Sequence, residues 1–448
     1  MERRVEGYTG SALELLQKYD IKAGQLVHVR TSDGLETKGL VVPRYEYADN
    51  DHIVLKLKSG YNIGLKVETI QSMKPISDNK QSNAPSPVLA VERSSKDSGN
   101  KKKLLLVSTG GTIASRVDYR TGAVHPALSA SDLYATVPEL DRLATVEPEV
   151  VFSIYSENMT PSDWSILSSK IIELTDSKKS QGVVVMMGTD TLAYTSAALS
   201  FSLIGFDIPV VVVGAQRSSD RPSSDATLNL RSAALFALES NRPGVFVAMH
   251  QNENDENVAI HSGVRVRKNH TSRRDAFQSI DSPLFATVRN ANEIMWNKAQ
   301  QDRSVPEKFK LKTNFEKAVS LVKFHPGFDP HVLNYLATEK KVRGIIVEGT
   351  GLGHVSDETV SVISKLVEKG VFVGITSQCI WGHVDLNVYD TGRDLIAAGA
   401  IPLENMFAET AFAKLSWVMG NFSETSEIML KNLVGELNLR IRLLTSRN

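Results

Sequence analysis

The chain of 448 residues contains one cysteine, Cys379. A single thiol excludes an intrachain disulfide and fits a reducing compartment. The ten histidines are scattered, without an H-E-x-x-H pattern or cysteine pairs nearby, so no metal site is expected. No phosphate-binding loop of the G-x-G-x-x-G or G-x-x-x-x-G-K-[ST] kind is present, which excludes ATP chemistry carried by that device. Neither sign of charge dominates: 51 basic residues face 51 acidic ones, so no overall positive field draws the chain to nucleic acid. Long apolar runs are also missing, and none reaches the ~18 residues that a membrane span needs. The opening MERRVEGYTGSALELLQKYD lacks the hydrophobic region of a signal peptide, so a cytoplasmic protein is expected.

What is present begins with Lys103–Ala114, KLLLVSTGGTIA. Leu104, Leu105, Leu106 and Val107 form a short apolar run bounded by small turn formers, which reads as a buried parallel strand. Gly110 and Gly111 allow a sharp turn that presents Thr112 at the strand's carboxyl end. A hydroxyl there can be a nucleophile if a base stands close enough to take its proton. A second such element is Val183–Leu192, VVVMMGTDTL, where an apolar run ends at Gly188 before a helix expected over about Leu192–Phe201. Read alone, Thr189, Asp190 or Thr191 would simply cap that helix.

Together, and in this order, TGGTIA and MGTDTL resemble the L-asparaginase/glutaminase amidohydrolase family. Further segments extend the resemblance over roughly Lys103 to Gly420. Tyr119 falls in a stretch similar to the family's mobile active-site loop, and Ser156-Glu157-Asn158-Met159 looks like its substrate-carboxylate segment. Lys268, ahead of Phe277-Gln278-Ser279, matches its catalytic lysine. Gly214–Leu230, GAQRSSDRPSSDATLNL, also resembles family sequence. Amide hydrolysis needs a nucleophile, a proton acceptor and donors for the developing oxyanion. The expected catalytic set is Thr112 as nucleophile, Thr189 and neutral Lys268 as its activating pair, and Asp190 on the substrate's α-ammonium. Ser156 and Glu157 would bind the amino-acid head group, and Tyr119 would reach Thr112 as its loop closes and excludes water. Without the resemblance, Lys268 would read as an ordinary exposed base.

Three parts follow one another along the chain. From Gly7 to Met73, a short amphipathic helix, Ser11–Lys18, precedes alternating strands Leu26–Thr31, Glu36–Val42, His52–Leu57 and Asn62–Val67. Turns such as Ser32-Asp33-Gly34 separate them, and a small β-barrel over residues 1–74 is expected. Residues 75–102, rich in Ser, Asn, Lys and Pro, read as a flexible linker. From Lys103, strands alternate with helices, the pattern of a parallel sheet covered on both faces. Candidate strands are Leu104–Ser108, Val183–Met187, Val210–Val213 and Val245–Met249, then Val319–Phe324, Gly344–Glu348 and Phe372–Thr376. The polar break Asn297–Lys312 suggests a large α/β domain over 103–300 and a smaller one over 313–430, as in the asparaginases.

The residues before the TGGT strand change the functional expectation. A barrel, a linker and an asparaginase-like region resemble the D subunits of archaeal glutamyl-tRNA(Gln) amidotransferases. The resemblance implies a glutaminase that releases ammonia from glutamine or asparagine. Its partner, the E subunit, would use ATP and Mg to activate Glu-tRNA(Gln), so this chain would carry no cofactor. It also implies a homodimer within a heterotetramer, with active sites completed by the neighbouring chain, although Ser377–Arg393 departs from usual asparaginase sequence. Two other readings stand beside it: a cytoplasmic L-asparaginase working alone, and a non-catalytic binding module, which the intact threonines, Asp190 and Lys268 disfavour.

Other features read more plainly. His250 and His261 are expected to be satisfied loop histidines. Trp381-Gly382-His383 either lines a partner surface or packs, and no His–Asp pair recommends Cys379 as a nucleophile. The short basic runs Lys101–Lys103 and Arg265–Lys268 are expected in solvated loops rather than on RNA phosphates.

Overall fold

The computed structural model describes residues 7–42, 49–57, 62–76, 101–111, 113, 115–117, 124–126, 138–217, 224–297 and 311–438. Thr112, Tyr119 and most of the expected linker (77–100) lie outside them. The chain divides into two compact units. One comprises Met1–Lys101 with Ser115–Ala127 and Arg217–Ser224; the other comprises Lys102–Ala114, Leu128–Gln216 and Asp225–Asn448.

In the first unit, helix Gly10–Lys18 accompanies an antiparallel five-stranded sheet. Its order is Asn62–Lys66, His52–Leu57, Glu36–Val41, Leu26–Thr31, Ile70–Pro75. Alternation of inward and outward residues, as in Leu26–Thr31, leaves Val27, Val29, Ile53, Leu55 and Met73 to meet Leu16 of the helix in one core. The N-terminal domain, expected as a small β-barrel, is a small β-rich domain built on this five-stranded sheet. Backbone strands Ser115–Val117 and Val124–Pro126 pair antiparallel, and this hairpin groups with the first unit although it follows the TGGT turn.

The second unit is built on an eight-stranded sheet and a four-stranded sheet. The large sheet runs Glu293–Trp296, Ala286–Arg289, Asn257–Ser262, Gly244–His250, Pro209–Val213, Gly182–Met186, Lys103–Ser108, Thr145–Val150. Its last five strands are mutually parallel. Runs such as GVVVM and PVVVV are buried at every position, as strands covered on both faces require. The expectation of a parallel sheet fails beyond Gly244–His250, where the next three strands pair antiparallel. Short connections let the chain double back into Asn257–Ser262 and again into Glu293–Trp296, whereas parallel pairing needs a long crossover. His250 and His261 lie on these strands, both buried, and not in loops. Strand Thr145–Val150 escaped the sequence reading because Glu147, Pro148 and Glu149 interrupt its apolar pattern.

The small sheet is parallel, in the order Val319–Lys323, Gly344–Gly349, Phe372–Ser377, Ile401–Pro402. One apolar cluster joins the two sheets' layers: Trp164, Ala197, Phe201 and Val264 pack with Phe315, Ile346, Leu415 and Trp417. Phe201 and Trp417 stack with ring centroids 5.7 Å apart. Helices Leu192–Ser202 and Ala408–Asn421 therefore share one core, a contact that matters below. No described helix is long and apolar enough to cross a membrane.

Candidate functional site

Two strand ends bring the two signature motifs together. Strands Lys103–Ser108 and Gly182–Met186 are parallel neighbours, with Ser108 level with Met186, so both chains leave the sheet at the same edge. Thr109 stays tied to the second strand, its amide donating to the Met186 carbonyl at 2.9 Å. Gly111 then turns with φ +83°, and a Cβ there would run into the backbone nitrogen of Gly188. Only glycine permits that approach. Gly188 is equally constrained, since its own Cβ would meet Ser156 Cβ and Oγ at 2.9 Å. The turn leading into Thr112, the 3-10 turn Ser156–Asn158 and the turn carrying Thr189 thus form one contiguous surface above the strand ends.

The fourth contributor arrives from strand Val266–Lys268, which pairs with Phe277–Ser279. Lys268 Nζ donates to Thr189 Oγ1 at 2.8 Å and to Asp190 Oδ1 at 2.7 Å. Thr189 is buried, the Lys268 side chain is 12% exposed, and the Asp190 side chain is 68% exposed. The ammonium therefore sits at the boundary between protein interior and solvent, with the hydroxyl inside and the carboxylate outside. These side chains are not capping the Leu192–Ser202 helix, whose N-cap, Thr191, makes no side-chain cap bond. Thr191 Oγ1 instead donates to the Ser156 carbonyl at 2.6 Å and fastens the two turns together. Ser156 is buried at this junction and Glu157 is exposed beside it.

Of the residues proposed from sequence, Thr189, Asp190 and Lys268 come together directly, and Ser156 joins them through Thr191 and Gly188. A lysine nitrogen held on a buried hydroxyl, once without its proton, can accept the hydroxyl's proton. An exposed carboxylate on the same nitrogen can receive a ligand's ammonium group.

The basic run Arg265–Lys268 is not a solvated loop. Arg265 is fully buried, and its guanidinium donates to the Asn405 carbonyl and Oδ1 at 2.8 and 3.0 Å and to the Gly435 carbonyl at 3.1 Å. Arg267 Nε lies 2.9 Å from Oε1 of Glu409, a residue the sequence reading missed. No local pattern points to Glu409, because its partner is distant in sequence. Cys379 and Trp381 are exposed.

Comparisons with known proteins identify the family. The model of the N-terminal asparaginase domain matches residues 103–301, and that of the glutaminase/asparaginase C-terminal domain matches 318–429. The GatD N-terminal domain model matches 21–76. Over 440 residues the chain is 43% identical to the glutamyl-tRNA(Gln) amidotransferase D subunit of Thermofilum pendens, covering 97% of both chains. It is 44% identical to the corresponding D subunit of Sulfurisphaera tokodaii, covering 97% of this chain and 96% of the relative. The thermostable L-asparaginase of Thermococcus kodakarensis superposes with a TM-score of 0.66 at 33% identity, over 75% of this chain and 99% of that enzyme. L-asparaginase I of Vibrio cholerae superposes at 0.64 and 26% identity, over 76% of this chain and all of its own. The asparaginases leave about a quarter of the chain uncovered, whereas the amidotransferase D subunits match nearly all of it. The chain belongs to the family of glutamyl-tRNA(Gln) amidotransferase D subunits, on an asparaginase fold.

Proposed function

We propose that this chain is the ammonia-releasing component of a tRNA-dependent amidotransferase that converts Glu-tRNA(Gln) to Gln-tRNA(Gln). One observation carries the reading: near-complete coverage by D subunits, including an N-terminal domain that joins residues 21–76 to the asparaginase-like region. In the proposed reaction Thr112 Oγ attacks the side-chain amide carbonyl of glutamine. The hydroxyl proton passes by way of Thr189 and Lys268 to the leaving nitrogen, and the C–N bond breaks to release ammonia. Water then hydrolyses the acyl-threonine and regenerates the hydroxyl. Thr112 is assigned from its motif and from the position of Gly111 against Gly188. Asp190 binds the donor's α-ammonium, Ser156 and Glu157 its head group, and Tyr119 closes over Thr112.

Transamidation also requires an activated acyl group. That step belongs to a partner, the E subunit, with ATP and Mg, acting on Glu-tRNA(Gln) in the cytoplasm. The assembly we propose is a homodimer of this chain within a heterotetramer. The test is reconstitution: this protein, the candidate E subunit, Glu-tRNA(Gln), ATP, Mg and glutamine. Formation of Gln-tRNA(Gln) that is lost when this chain is omitted supports the reading. Rapid asparagine hydrolysis with no transamidation and no stable partner would replace it with an L-asparaginase working alone, the reading favoured by the 33% identity to the Thermococcus enzyme.

A further inference from the structure

The short stretch Val264–Lys268 delivers Lys268 to the site, and residues of the C-terminal sheet's layer grip it at Val264, Arg265 and Arg267. The Val264 carbonyl accepts from Thr410 Oγ1 at 3.0 Å. Arg265 donates to Asn405 and Gly435. Arg267 reaches Glu409 at 2.9 Å. Glu409 and Thr410 both lie in the first turn of helix Ala408–Asn421. One turn further on, Phe412 meets the ring of Tyr194 edge-on at 6.1 Å. Tyr194 belongs to helix Leu192–Ser202, which begins directly after Thr189, Asp190 and Thr191. The start of one helix therefore touches both elements that carry the Lys268–Thr189 pair.

Glu409 is the least economical residue in this clamp. It is 8% exposed, and its Oε2 has no hydrogen-bond partner among the described residues. Burial pushes its carboxyl up, opposed chiefly by the Arg267 charge. Glu348 and Lys323, on neighbouring strands, also face it. Burial likewise drives the Tyr194 phenol up to about 12, with the Glu409 and Glu348 charges adding to the effect. An ion pair with a buried carboxylate, one oxygen unsatisfied and a half-buried guanidinium is a poor source of stability, because desolvation offsets most of the attraction. What it supplies is a tether, since the 2.9 Å ion pair limits how far the Arg267 side chain can move from the helix.

We propose that Glu409 is a positioning residue for Lys268, acting through Arg267. Successive side chains leave a strand on opposite faces. Holding Arg267 toward the Ala408–Asn421 helix therefore rotates the strand so that Lys268 points to Thr189. A displacement of about 1 Å at a reacting group can cost on the order of 10²-fold in rate. The inference rests on the proposed role of Lys268. Loss of glutamine hydrolysis in Lys268→Ala tests that role, and the ratio of Glu409 variant to wild type tests the inference.

The experiment is a double-mutant cycle measured on the intact protein with its partner. Glu409→Ala is expected to lower kcat by about 10²-fold while KM for glutamine stays within about twofold, because the head-group contacts are untouched. Arg267→Met should give a similar loss, and the double variant should be no worse than either single one. Glu409→Gln, which keeps an acceptor of the same shape, should recover part of kcat and also serves if the alanine variant does not fold. Unchanged kcat in folded Glu409→Gln and Glu409→Ala overturns the inference. So do losses that multiply in the double variant, or a fall in kcat no larger than the fall in folded protein.

Discussion

Lys268 and Lys414 each hold a carboxylate oxygen at 2.7 Å, yet the two pairs are built for opposite ends. Lys414 and Glu436 are both fully buried. The Lys414 ammonium spends its remaining protons on the carbonyls of Met429 and Lys431 at 2.8 and 2.5 Å. Glu436 in turn accepts from the amides of Leu433 and Val434. Burial pushes the Lys414 ammonium down, and the Glu436 charge opposes this. Every polar atom is occupied, so this pair ties down the chain's C-terminal turns. Lys268 shares its protons between a buried hydroxyl and a mostly exposed carboxylate that a ligand can reach. A closed network serves structure, and a network left open toward solvent is available for chemistry.

The sharpest way to break this comparison is to remove members of the open network, or Thr112, the proposed nucleophile. Thr112→Val, Thr189→Val and Lys268→Ala should each lower the glutamine hydrolysis rate by on the order of 10³-fold or more, with little change in the thermal midpoint. Steady-state rates on folded protein check this, and near-normal turnover in one variant removes that residue from the mechanism. Breaking the closed network should have the reverse signature. Lys414→Met leaves Glu436 buried and uncompensated, at a cost of about 3 kcal/mol or more in unfolding free energy. The rate per folded molecule should hold, and adding Glu436→Leu should recover only part of the stability, because the Leu433 and Val434 amides lose their acceptor. Urea unfolding measures both variants.

A smaller effect concerns His261, buried with Nδ1 on Ser279 Oγ at 2.8 Å. Burial pushes it from 6.5 down to about 3. The unfolded chain therefore binds the extra proton between those values. The stability that rests on the neutral ring is fully present above pH 6.5 and is lost as pH falls toward about 3. The slope contributed is up to about 1.4 kcal/mol per pH unit. His261→Gln should flatten the acid side of a urea-midpoint profile, and parallel profiles for the two proteins would contradict this. The smallest stability effect is expected at Asp190, whose side chain is 68% exposed. Asp190→Asn should change unfolding free energy by less than about 1 kcal/mol. KM for glutamine should nevertheless rise, since the carboxylate's proposed work is on the ligand.

Local chemistry was enough to announce much of this molecule. Short β-branched apolar runs such as VVVM and VVVV suit strands covered on both faces, and alternation in residues 26–57 suits a sheet with one buried side. TGGT and MGTDT marked strand ends because glycine and short hydroxyl residues are what a tight turn beneath a ligand requires. Thr189, Asp190 and Lys268 are singled out by the resemblance to the asparaginases, since read alone they are a helix cap and an ordinary base. Tertiary structure decided the rest. It set Gly111 against Gly188, turned Thr191 from a helix cap into a strut under Ser156, and reversed the large sheet after His250. It made Arg265, ordinary in sequence, a buried anchor, and it paired Arg267 with Glu409, 142 positions away (409 − 267). Periodicity reports which face of an element avoids water. Which distant side chain meets that face depends on how the packed layers register, and no local pattern in the chain encodes it.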